Sequence, residues 1–162
     1  MVADRDGFVS FGIAQSFNAP TILEYAERLG LHDIREWVTV DALQSFLDME
    51  KWIAYAATLE TPESDIVGIA VMGIEEEGRL WIETLVTDPR YRRKGIATEL
   101  CNSMVEYGRR HGFRVIFVDL DDDNIPAYRF YKQFGFENAG RISRYYYDSS
   151  TAIILAKNLP ED

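Results

Sequence analysis

Between positions 90 and 94 the chain reads Arg90-Tyr91-Arg92-Arg93-Lys94, four cations in five positions of a protein whose 27 acidic and 17 basic residues leave a net charge of −10. Gly95-Ile96-Ala97-Thr98 follows at once. Glycine lets a backbone turn sharply and lets a ligand approach where a Cβ would stand. The residues after it read as a helix start, whose first N–H groups lack internal partners and carry about half a positive charge. Amides and cations together suit a pyrophosphate. The same residues also fit a solvated basic loop ahead of an ordinary helix, and charge and glycine alone leave both readings open. The nucleotide loops fit poorly: no Gly-x-x-x-x-Gly-Lys-Ser/Thr run is present, and Gly-x-Gly-x-x-Gly is not completed at this turn.

The loop needs a strand before it and a helix after it. Arg79–Thr87 reads as a strand that Asp88-Pro89 breaks, and Ile96 to Arg110 carries an apolar stripe of Ile96, Leu100, Met104 and Tyr107 with Gly112 near its end. Upstream, Phe8–Ile13, Trp52–Leu59 and Asp65–Ile74 read as strands, with a turn at Pro62-Glu63-Ser64 and a polar hairpin turn at Glu75-Glu76-Glu77-Gly78. A helix starts at Asn18-Ala19-Pro20-Thr21 and ends at Gly30; a second is expected from Asp41, with Gln44 as in a capping box. Residues 31–39 are ambiguous. Val115–Leu120 reads as a strand buried on both faces. Asn124 then caps a helix with Pro126 in its first turn, Tyr131 on its stripe and Gly135 as its stop. Strands of about Glu137–Tyr147 and Thr151–Lys157 close the chain, giving a mixed α/β or α+β sheet.

Length and composition bound the function. The 162 residues are 47% hydrophobic and 27% charged, with nine Phe, nine Tyr and three Trp, enough for one packed domain. No apolar run reaches the roughly 20 residues a membrane span needs, and Met1-Val2-Ala3-Asp4-Arg5-Asp6 does not read as a secretory leader. A reducing, cytoplasmic compartment is expected. The acidic balance argues against nucleic acid and favours cationic partners. His32, His111 and the single Cys101 are too few and too scattered to suggest a metal set or a thiol–imidazole pair, so no metal is expected.

Arg92-x-x-Gly95-x-Ala97 resembles the acyl-CoA pyrophosphate signature of the GNAT superfamily of N-acetyltransferases, and Leu85-Val86-Thr87-Asp88-Pro89 resembles the strand leading into it. Asn124-x-x-Ala127-x-x-Phe130-Tyr131-x-x-Phe134-Gly135-Phe136 resembles that family's second motif at the right distance. The likeness runs from about Trp52 to Leu159; the first fifty residues match only in helical character. It implies a single N-acetyltransferase domain over 1–162, with a mixed, mostly antiparallel sheet of six to seven strands, about four flanking helices, and a splay at the acyl-CoA cleft.

The resemblance further implies acetyl-CoA as cosubstrate and a primary amine as acceptor, attacked directly in a ternary complex. Leu85, Val86 and Thr87 would hold the pantetheine arm by their backbone. Arg92, Arg93, Lys94, Gly95, Ile96, Ala97 and Thr98 would cradle the pyrophosphate, and Asn124 would also bond CoA. Tyr131 stands where the family often carries the tyrosine that protonates the departing thiolate. Asp119 has the register of the glutamate base in the bacterial ribosomal-protein alanine acetyltransferases, one methylene shorter, so a bridging water is one expectation. Glu83 on the motif strand is the second candidate base. Tyr146 and Tyr147 resemble the tyrosine pair with which N-terminal peptide acetyltransferases hold substrate. Acceptors from a protein N-terminus to a cationic small amine stay open, as do a monomer and a homodimer. The alternative reading is an acyl-CoA-binding sensor or interaction module of the same fold, without turnover.

Overall fold

Alternating and continuous apolar runs dictate the strands, and three-to-four spacing dictates the helices. The structure, a computed structural model, describes residues 2–4, 7–13, 19–28, 41, 44–45, 48–49, 51–62, 65–146 and 148–160. Its elements are β1 (Val2–Asp4), β2 (Gly7–Ile13), α1 (Ala19–Arg28), β3 (Trp52–Leu59), β4 (Ile66–Glu75), β5 (Arg79–Thr87), α2 (Ile96–Arg110), β6 (Val115–Asp121), α3 (Ile125–Gln133), β7 (Glu137–Ile142) and β8 (Ala152–Asn158). Two compact units form: Met1–Ile74 with Glu83–Met104, and Glu75–Ile82 with Val105–Asp162. Strand β5 and helix α2 each run through both.

In the first unit the strand order is β1-β2-β3-β4-β5. The pairs β1/β2, β2/β3 and β3/β4 are antiparallel, with an irregularity at Ala57/Thr58. Strand β4 is buried from Ile66 to Gly73 without alternation, as its unbroken apolar run demands. Gly68 sets how closely α2 approaches: a Cβ there would lie 2.9 Å from Ile96 Cγ2 and 3.1 Å from Leu100 Cδ1. Ile96, Leu100 and Met104 are fully buried, each contributing roughly 1.5–3 kcal/mol of burial. Helix α1 buries Ile22 and Leu23, and its Arg28 donates to the Ile66 carbonyl at 2.9 Å.

In the second unit the order is β5-β6-β8-β7. The β5/β6 pair is parallel, from Arg79↔Val115 to Ile82↔Val118, while β6 goes on pairing antiparallel with β8 as far as Asp121↔Ala152. Asn124 caps α3, its side chain accepting from Ala127 N–H at 3.3 Å; such a cap is worth about 1 kcal/mol. At the other end Gly135, with φ +97°, donates to Lys132 O, and Phe136 donates to Tyr131 O at 2.9 Å. Phe136 is then fully buried.

Several expectations need correction. Strand β1 was not anticipated, and with it eight strands form among the described residues, where six to seven were expected. Three α-helices appear among the described residues; the fourth, expected from Asp41, lies mostly outside them. Within that stretch Met49 N–H bonds Ser45 O, and Gln44 donates to Asp48 at 2.8 Å. Strand β6 alternates, burying Ile116, Val118 and Leu120 and leaving the other face half-buried. Strand β7 stops at Ile142 because the backbone turns, Arg144 taking φ +53°. Tyr146 therefore sits in a turn, and Tyr147 lies outside the described residues.

Candidate active site

The basic loop is shaped by an acid. Asp88, 5% exposed, accepts from Arg90 N–H at 2.9 Å and pairs with Arg90 Nη2 at 2.8 Å, while its own N–H bonds Val67 O on β4. The hydrogen bond from the Arg90 side chain holds the Asp88 carboxyl below the ordinary range, against the opposing effect of burial. A short 3-10 turn, Pro89–Tyr91, results, and Tyr91 is buried. Of the four cations, Arg90 is thus committed to Asp88. Lys94 Nζ lies 5.1 Å from the Tyr91 ring centre. Arg92 and Arg93 are exposed.

The backbone then takes positive φ at Arg93 (+64°) and Gly95 (+81°). A Cβ on Gly95 would meet no heavy atom within 4 Å, so space is open beside the first amides of α2. The first amide to bond backward is Glu99, to Gly95 O at 3.0 Å, leaving those of Ile96, Ala97 and Thr98 ahead of it. At the end of β5, Thr87 Oγ1 is buried and, among the described residues, the one such side-chain atom without a hydrogen-bond partner. An orphan hydroxyl, an open glycine and leading amides fit a phosphate-bearing cofactor.

Strand β5 alternates: Leu80, Ile82, Thr84 and Val86 are buried, whereas Trp81, Glu83, Leu85 and Thr87 share the half-buried face. Gly73 on β4 makes room for the candidate base Glu83, since a Cβ there would lie 2.7 Å from Glu83 Oε1.

The second unit holds the other candidates. Asp119, on the half-buried face of β6, accepts from Trp81 Nε1 at Oδ1 (2.9 Å) and from the Tyr146 hydroxyl at Oδ2 (2.7 Å). Trp81 stacks on Phe117 with ring centres 5.3 Å apart. Burial first, then the bond to Asp119, pushes the Tyr146 phenol well above the usual tyrosine range. Asp121 accepts from the Ser150 hydroxyl at 2.6 Å, which keeps its carboxyl low. Asp122 pairs with Arg141 at 2.9 Å, so the acidic run Asp121-Asp122-Asp123 is partly neutralised. Tyr131 is buried, edge-on to Phe136 at 5.2 Å and to Phe130 at 5.1 Å. Asn124 is exposed at the start of α3.

The sequence candidates therefore fall into two groups. Glu83, Leu85, Val86 and Thr87 run directly into Arg92–Thr98 in the first unit; Asp119 and Tyr146 meet in the second, which also carries Asn124 and Tyr131. Trp81, not singled out from the sequence, is a donor to Asp119. Its place on the same alternating face as Glu83 was the available signal. Asp88 was read only as a strand breaker, although Asp-Pro-Arg is a natural side-chain-capped turn.

The family model that matches this chain is the acetyltransferase (GNAT) family, over residues 24–136. The chain is 28% identical over 88 residues to the spermine/spermidine N(1)-acetyltransferase of Bacillus subtilis (strain 168); the match takes in 49% of this chain and 58% of that protein. It resembles the structure of the ribosomal-protein-S18-alanine N-acetyltransferase from Escherichia coli with a TM-score of 0.75, 16% identity and 96% of each chain covered. A Bacillus anthracis (str. Ames) structure in complex with acetyl coenzyme A is similar at TM-score 0.61 and 22% identity, over 68% of this chain and 64% of that one.

Proposed function

The chain belongs to the GNAT family of acetyltransferases, and from that premise we propose that it transfers an acetyl group from acetyl-CoA to a primary amine. The observation that carries the reading is the run from Thr87 to Thr98, where a buried orphan hydroxyl, a positive-φ glycine and leading helix amides follow one another. In this reading the backbone of Leu85, Val86 and Thr87 holds the pantetheine arm. The amides of Arg93 to Thr98 hold the pyrophosphate, with charge from Arg92, Arg93 and Lys94. Asn124 adds a bond to CoA while capping its helix.

The bound thioester supplies an activated acyl carbonyl. The residues manage protons: an alkylammonium, with pKa of about 10, attacks only after losing one, and a thiolate, with pKa of about 8.5, leaves more readily on gaining one. Asp119 or Glu83 takes the first role and Tyr131 the second. Tyr146 and Tyr147 bind the acceptor. The net charge of −10 favours a cationic acceptor, and the named relatives support either a polyamine or a protein N-terminus. Their names also favour turnover over an inactive sensor. We assign the protein to the cytoplasm, as a monomer or homodimer without a nucleic-acid partner; among the described residues no helix is long and apolar enough to cross a membrane.

A thiol-release assay with acetyl-CoA against polyamines, alanine-starting peptides and amino acids tests the proposal. Turnover with at least one amine is expected. Binding of CoA without release across the panel favours the sensor, and no binding overturns both.

A further inference from the structure

Asp119 has both carboxylate oxygens engaged, and its two partners differ in kind. Oδ1 receives the Trp81 indole N–H at 2.9 Å, and Oδ2 receives the Tyr146 hydroxyl at 2.7 Å. An indole N–H is a donor only and holds its proton. A phenol is both donor and acceptor, so it can take a proton on one side while giving one on the other. Stacking on Phe117 fixes the indole, and the indole fixes the carboxylate. Of the two groups bonded to Asp119, only the Tyr146 phenol can pass a proton on.

Resting on the transferase reading above, the geometry points to Tyr146 as a proton relay that lets Asp119 act as the general base on the acceptor ammonium. An N–H bond of the ammonium breaks as an O–H bond forms at the Tyr146 oxygen. The original Tyr146 O–H bond breaks as one forms at Asp119 Oδ2. Tyr146 is neutral before and after; the ammonium loses its positive charge and Asp119 its negative one. The electron pair of the broken N–H bond stays on nitrogen as the lone pair that then attacks the thioester carbonyl. Burial and the bond to Asp119 keep the phenol protonated at rest, as a relay requires, with Asp121 and Tyr145 adding smaller effects of the same sign. No bridging water is needed.

The experiment is a mutant cycle in the thiol-release assay with acetyl-CoA, using spermidine and an alanine-starting peptide as acceptor probes. Tyr146→Phe and Asp119→Asn should each lower kcat about a hundredfold, with the acetyl-CoA KM unchanged. The double variant should fall no further, because the two act as one unit. Asp119→Glu placed in the Tyr146→Phe background should recover about tenfold, its extra methylene replacing the relay. Multiplying losses, absent recovery, or a Tyr146→Phe effect confined to the acceptor KM would overturn the relay and leave the transferase reading standing. Wild-type protein that binds CoA yet releases no thiol with any amine of the polyamine, peptide and amino-acid panel would overturn both together. Thermal melts within a few degrees of wild type confirm that each variant is folded.

Discussion

The stretch from Thr87 to Thr98 and the cluster of Asp119, Trp81 and Tyr146 do their work by opposite means. The first is made of backbone: two positive-φ residues, leading amides and one buried hydroxyl within twelve consecutive positions. The second is made of side chains whose positions lie 38 and 27 apart along the chain. A backbone seat tolerates changes in most of its side chains and fails when the chain cannot turn. A side-chain cluster tolerates nothing that removes a donor or an acceptor. This contrast says what each kind of substitution should do.

The largest effect is expected at Gly95. A valine there must adopt φ near +81°, at a cost of about 1–2 kcal/mol, and fills the open space beside the amides. Losing even two charge-assisted bonds of about 1.5–3 kcal/mol each weakens CoA binding more than a hundredfold. Calorimetry should find binding lost while the protein still melts cooperatively. By contrast Arg92→Ala, which removes a side chain from the same seat, should weaken binding by less than tenfold; an equal loss would mean that charge rather than backbone builds the seat.

Tyr131→Phe comes next, with kcat reduced about a hundredfold and the acetyl-CoA KM nearly unchanged. A large change in KM would assign Tyr131 to packing against Phe136 instead. Trp81→Phe keeps the stack on Phe117 and removes one donor to Asp119, so kcat should fall about tenfold with the acetyl-CoA KM intact and the melting temperature within a few degrees. In the Asp119→Asn background Trp81→Phe should cost nothing further; a further tenfold loss there would contradict a positioning role that acts through Asp119.

The smallest effect concerns the loop's acid. The folded-state pKa of Asp88 is depressed, so the unfolded chain binds more protons at acid pH and stability rises with pH through that range. The contribution is complete above about pH 4 and is lost as pH falls through the lowered value. Asp88→Asn should therefore melt below wild type at neutral pH, and the difference should vanish in acid. A difference independent of pH would mean that the charge on Asp88 adds no stability.

The same contrast explains what could be read in advance. The basic loop, its glycine and the helix after it are local, and Arg79–Thr87 and Ile96–Arg110 were delimited from periodicity and breakers alone. Asn124, Pro126 and Gly135 likewise marked the ends of α3. What escaped was non-local. Trp81 looks apolar in sequence, and only pairing of β5 with β6 brings its N–H to Asp119. Tyr146 was read as a strand residue because tyrosine favours strands, but the turn at Arg144 ends β7 four residues earlier. Asp88 is the local exception: it reads as punctuation, although Asp-Pro-Arg is a turn in which the carboxylate can accept from the backbone two residues on. Strand β6 was judged by composition, and its alternation emerged only with its neighbours in place.

The measurement that tests the account most directly is calorimetric titration of the protein with CoA and, separately, with pantetheine, which shares the arm and lacks the phosphates. A seat built from amides and cations predicts saturable heat with CoA and at least a hundredfold weaker binding of pantetheine. Equal binding of the two, or no heat with CoA, would contradict it.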